Sequence, residues 1–298
     1  IVSNPKLVVE QCKAGVVGSF PARNARGEGV LNEWLTGIKA ELAADKTAGG
    51  SPAPFAVNQI VHPSNNRLAE DIQVCLSHQV PVFITSLQAP PKELVDGAHA
   101  YGGIVLHDVI NVRHAKKALE AGVDGLILVA AGAGGHAGML SPFALVGEIR
   151  KFYDGLIVLS GSIATGDAIL SAQAMGADLA YMGTRFICTT EANADAAYKQ
   201  GIIDAAANDV IYTNLFTGVH GNYLRQSIVT AGLDPDNLPV ADKTKMNFGS
   251  GGNSAAKAWK DIWGVGQGVG LIDDAPSTAE LVDHLEMEYK AARARLAL

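Results

Sequence analysis

Residues 156–186 read LIVLSGSIATGDAILSAQAMGADLAYMGTRF. The opening LIVLS is apolar on both alternating faces, the pattern of a parallel strand covered on each side. The stretch predicts a strand over 156–162, a helix over 166–175 and a further strand over 179–186. Each strand runs into a small turn, at Gly161–Ser162 and at Gly183–Thr184.

The same alternation reaches back toward the N-terminus. Apolar, β-branched runs at 15–20, 54–61, 80–87, 103–110 and 125–131 alternate with predicted helices at 29–45, 66–78, 91–100, 111–121 and 142–153. A further helix is predicted at 192–206. Seven strands result. Asn4 followed by Pro5 reads as the cap and first residue of a helix over 4–13, and that helix needs a strand before it. The expectation is a (β/α)8 TIM barrel, an α/β fold, whose first strand lies upstream of Ile1 and is absent from this chain. A doubly wound open sheet competes. It would place a G-x-G-x-x-G fingerprint just after the first strand, whereas here the Gly-rich turns come late. The barrel is assigned to residues 1–206. Residues 207–298 are expected to form a helical lid or substrate segment packing back on it, with helices near 223–231, 254–262 and 278–296.

Composition narrows the function. The chain has 298 residues, 48% hydrophobic and 18% charged, enough for a large core. A net charge of -7 without a Lys/Arg run argues against nucleic acid. Cys12, Cys75 and Cys188 are scattered and odd in number, which reads as buried thiols in a reducing compartment. No apolar run reaches the ~18 residues of a membrane helix. A cytoplasmic enzyme acting on a small molecule is expected, with no nucleic-acid or membrane partner and no metal site.

Barrel active sites form at the C-terminal strand ends. Three stretches place small or hydroxyl residues there: AAGAGGHAG (130–138), SGSIATG (160–166) and MGTRF (182–186). Gly161, Ser162, Gly183 and Thr184 can offer amides and hydroxyls to a phosphate, with a helix N-terminus just beyond. In the first stretch every residue but His136 is alanine or glycine. Such a loop lets backbone approach a flat ligand and leaves the imidazole open to substrate, able to exchange a proton near its ordinary pKa of about 6.5.

GAGGHAG, the 156–186 stretch and GVGQGVGLIDDAP together resemble the nitronate monooxygenase family, formerly the 2-nitropropane dioxygenases. The resemblance runs from VNQ at 57–59 to LIDDAP at 271–276. It implies an FMN-binding barrel and a flavin oxidoreductase. It implies His136 as the catalytic residue facing the flavin, with Gly134 and Gly135 at the flavin edge and Asn58 supplying an amide. Gly161 and Ser162 match the first phosphate turn, Ser162 standing where the family has glycine. Gly183 and Thr184 match the second, preceded by Tyr181 and Met182. Gln267, within Gly266–Gly268, matches a segment that folds back toward the cofactor.

Three features depart from the family. Val129, Ala130 and Ala131 replace polar residues before the G-G-H turn. His107 and Asp108 stand where some reductase members have a lysine. NLFTGVHGNYLRQSI (214–228) suggests a distinct substrate lid, in which His220 and Tyr223 either line a pocket or fix a turn. The reading is an FMN-dependent nitronate monooxygenase using O2. The alternatives are an NAD(P)H-dependent flavin reductase of quinones or enoyl thioesters, and a barrel that binds FMN or a phosphate without turnover.

Overall fold

The computed structural model describes residues 2–241 and 261–297. Seven parallel strands form one sheet: β1 (Gly18–Pro21), β2 (Phe55–Val61), β3 (Val82–Leu87), β4 (Ile104–Val109), β5 (Gly125–Val129), β7 (Leu156–Ser160) and β8 (Leu179–Tyr181). They pair in chain order, so the sheet has no point where strand order reverses, as a doubly wound fold requires. Between them lie α1 (Pro5–Lys13, ahead of β1), α2 (Val30–Thr47), α3 (Leu68–Ser77), α4 (Lys92–His99), α5 (Val112–Glu120), α6 (Pro142–Arg150) and α7 (Gly166–Ala174). After β8 come α8 (Thr184–Ile187), α9 (Ala196–Ile203), α10 (Arg225–Thr230) and α11 (Thr278–Arg295).

α1 and α5 start where a side chain satisfies an orphan amide. Asn4 accepts from the Leu7 N–H at 2.8 Å, and Asn111 accepts from the His114 N–H at 2.9 Å. Alternate strand residues divide two cores. Phe20, Val57, Phe83, Val105, Leu126 and Ile157 pack outward against Leu35, Ile38, Leu94, Leu145 and Ile149 of the helices. Ala56, Val82, Ile84, Leu106, Ile127 and Val158 face inward and fill the floor of the barrel. The sheet curls until its edge strands meet through side chains: Ser19 Oγ of β1 shares a 3.1 Å hydrogen bond with the Tyr181 hydroxyl of β8. The helical ring follows, α1 touching α11 and α11 lying against α7. This is a TIM-barrel-like α/β fold.

Two expectations change. The strand expected over 179–186 stops at Tyr181, and Thr184–Ile187 is a short helix, because the chain turns at Gly183. The part beyond residue 206 is not only helical. β9 (Val210–Thr213) and β10 (Gly221–Leu224) form an antiparallel sheet with β6 (Gly135–His136), which grows out of the loop after β5. The helix expected near 254–262 falls mostly on residues outside the described ones. Among the described residues, no helix is long and apolar enough to cross a membrane, and no group of His, Cys, Asp or Glu could hold a metal ion.

Candidate active site

The loops after β5, β7 and β8 converge on a small cleft at the C-terminal end of the sheet. Left-handed backbone shapes its walls: φ is +84° at Gly132, +137° at Gly161 and +55° at Ser162. Serine adopts that region at a cost on the order of 1 kcal/mol, so the Gly161–Ser162 turn is held by its surroundings. A side chain on Gly132 would collide with the Ser162 hydroxyl.

A strap from the C-terminal part closes one side. The Gly266 N–H donates to Thr184 Oγ1 at 2.8 Å, and the Gln267 N–H donates to the Gly132 carbonyl at 2.9 Å. A Cβ on Gly134 would lie 2.8 Å from the Gly266 nitrogen and 2.9 Å from Thr184 Oγ1. The glycines of the 130–138 loop therefore serve the chain's own packing as well as any ligand. At Gly183 a Cβ would meet nothing within 4 Å, since that position faces open cleft.

Gly134, Gly161, Ser162, Tyr181, Gly183 and Thr184 all line this cleft. Gln267 sits in the strap beside it, its side chain against Gly132. Asn58 is on β2, on the inward face defined by Ala56. The Met182 side chain packs with Phe186, Leu281 and Leu285 instead. Gly135 lies in β6 opposite Asn222, and a Cβ on Gly221 would come within 2.7 Å of its carbonyl. The first turn of α7 is already taken: the Gly166 N–H donates to Glu288 at 2.7 Å, and Thr165 caps Ala168.

His136 is not the unencumbered imidazole that its small neighbours suggest. β10 pairs beside it, and its Nε2 lies 2.8 Å from Thr217 Oγ1. The half-buried ring has its pKa pushed down to about 4, because an imidazolium there gives up water that would stabilise its charge. At neutral pH the ring is uncharged. Thr217 was hidden from sequence reasoning, since nothing in its spacing ties it to a residue in the β5 loop. His220 fixes a turn: it stacks on Tyr212, ring centroids 5.0 Å apart, and the Tyr212 hydroxyl donates to the Ala137 carbonyl at 3.0 Å. Tyr223 is fully buried edge-on against Phe216 and belongs to the core of the small sheet.

Residues 39–288 match the family model described as nitronate monooxygenase. The chain belongs to the nitronate monooxygenase family. Among its relatives, the nitronate monooxygenase of Paraburkholderia phytofirmans is 27% identical, over 97% of this chain and 90% of that protein. The nitronate monooxygenase of Neurospora crassa is 29% identical over 97% and 87%. A (3aS,4S,5R,7aS)-5-hydroxy-7a-methyl-1-oxo-octahydro-1H-indene-4-carboxyl-CoA dehydrogenase of Rhodococcus jostii is 26% identical over 77% and 62%. The fold of this family member is similar to FabK from Thermotoga maritima, with a TM-score of 0.76, 22% identity, and 99% and 92% of the two chains covered. It is also similar to nitroalkane oxidase from Streptomyces ansochromogenes, with a TM-score of 0.72, 21% identity, and 99% and 94% covered. Both likenesses bear on the fold. The family makes the chain an oxidoreductase.

Proposed function

We propose that this enzyme binds FMN and oxidises alkyl nitronates with O2. One observation carries the reading: two phosphate-sized turns, Gly161–Ser162 and Gly183–Thr184, line the same cleft, and nothing stands within 4 Å of where a Cβ on Gly183 would be. The residues fit the cofactor. The phosphate would rest on those turns, with Tyr181 and Gln267 beside it, and Asn58 and Gly134 would meet the ring. FMN supplies the electron chemistry when bound. The protein holds the anionic nitronate in the cleft beside a neutral His136, whose ring packs against it, and the β6–β9–β10 sheet limits water.

Protein purified with FMN present and then heated should release FMN, and it should consume O2 with a nitronate. Release of FAD, or no cofactor, would sink the proposal. The coenzyme A thioester named in the Rhodococcus jostii relative favours a second reading, in which a nicotinamide reduces the flavin. Anaerobic mixing with NADH or NADPH decides, because bleaching of the flavin band marks the reductase.

A further inference from the structure

Asp108 is an acid inside the barrel that the reading above does not use. It stands two residues past Leu106 on β4 and shares that residue's inward face. Its Oδ1 is buried and has no hydrogen-bond partner among the described residues. The adjoining strands turn Ile84 and Ser86 of β3 and Ile127 and Val129 of β5 to the same interior, none of them ionisable. Asn58 and Ser160 share that face on β2 and β7. Tyr181 and Ser19, joined by their hydrogen bond, lie between β8 and β1. Tyr181 is the ionisable group that Asp108 reaches: burial, opposed by the Ser19 bond and aided by the Asp108 charge, pushes the phenol to about 12. His107, next along β4, faces the opposite side, where its Nδ1 lies 2.7 Å from Thr85 Oγ1.

Asp108 as a whole is half-buried, but a carboxylate oxygen buried without a partner is unfavourable, so the group holds its proton or finds a donor. Burial alone lifts Asp108 to about 7. A neutral carboxyl donates a hydrogen bond, and its interior opens toward the cleft through Tyr181, which lines both. We propose that Asp108 hydrogen-bonds an acceptor atom of the bound flavin ring from inside the barrel and couples flavin reduction to its own proton uptake. This rests on the FMN reading. Oxidised flavin, two electrons and one proton give the anionic reduced flavin. The new negative charge raises the proton affinity of Asp108. Where Asp108 is ionised beforehand, a second proton from solvent therefore binds its carboxylate. The electrons come from a chemical reductant such as dithionite.

The test starts from purified protein with its FMN content counted. Infrared spectra of the oxidised holoprotein should show a protonated carboxyl band that disappears near pH 7. Dithionite reduction above that midpoint should bring the band back. Asp108→Asn should remove the band and take up one fewer proton per two electrons at that pH, with FMN still bound. If the variant does not fold, the native difference spectrum decides alone. FMN-loaded native protein without such a band, or an Asn variant with an unchanged proton count, overturns the role of Asp108 and leaves the FMN reading standing. Protein that binds no flavin overturns both.

Discussion

Thr217 Oγ1 lies 2.8 Å from His136 Nε2, and the same hydroxyl is 3.1 Å from the Val219 carbonyl. A hydroxyl has one proton to give. With that proton on the carbonyl, the imidazole must donate, which fixes the Nε2–H tautomer. Thr217 is thus a positioning residue. Thr217→Val should lower kcat by about 10- to 100-fold, the loss expected when one buried hydrogen bond costs about 1–3 kcal/mol. Thr217→Ser should restore most of it. Nitrogen NMR of His136 should report the Nε2–H form in the native protein and a mixture in Thr217→Val. A native tautomer with the proton on Nδ1 would reverse the assignment.

Gly183 separates folding from cofactor binding. Its φ is -109°, which any residue adopts, and a Cβ there meets nothing within 4 Å. Gly183→Val should therefore fold with little change in Tm while its side chain fills the phosphate cradle. The measurement is flavin per protein beside the melting curve. A folded variant with full flavin occupancy would move the phosphate site elsewhere.

The barrel is legible because its parallel strands are apolar on both faces and punctuated by glycine turns, so β2 to β5 and β7 stand out as short runs. The turns Gly161–Ser162 and Gly183–Thr184 are legible for the same reason, being small residues at strand ends. Met182 is not, because neighbouring residues of a strand end point to opposite sides and only packing shows which side faces the cleft. The β6–β9–β10 sheet escapes for another reason. Its Gly135–His136 strand has no β-branched residue, and its partner Gly221–Asn222 lies far along the chain. Asp108 is visible as a departure from the family, but the buried, unpartnered state of its Oδ1 is a property of the folded chain.

Stability should depend on pH through opposing groups. The unfolded Asp108 loses its proton near its ordinary pKa of 3.8, whereas the folded one keeps it to about 7. Its contribution is full below that lower value and lost as pH rises through the window. His107 and His136 are both held down from 6.5 to about 4. Their contribution is present above 6.5 and lost as pH falls through 4. Asp108→Asn removes only the first effect. Relative to the native protein it should gain stability between pH 4 and 8, by at most about 4 kcal/mol for a shift of this size. Denaturant unfolding at pH 4.5 and 8, both proteins saturated with FMN, measures it. A constant difference across that range would show that Asp108 titrates normally.

His136 can act by moving a proton or by holding the anion, and two substitutions distinguish these. A general base works best with a pKa near the operating pH and then contributes about 10²- to 10⁴-fold. At about 4, His136 is a weak base at pH 7. A nitronate already lacks its carbon-bound proton, so the role expected is that of holding the substrate in place, with the ring anchored through Thr217. Glutamine can place an amide near the Nε2 position and keep the link to Thr217. Asparagine, shorter by one carbon, cannot. His136→Gln should retain most of kcat, and His136→Asn should lose about 10- to 100-fold, partly in KM. Both should keep FMN, since the phosphate turns are untouched. In the native enzyme kcat/KM should show no His136 titration between pH 5 and 8. Equal losses of 10³-fold or more in both variants, with a native pH profile breaking near 6.5, would make proton transfer the role instead.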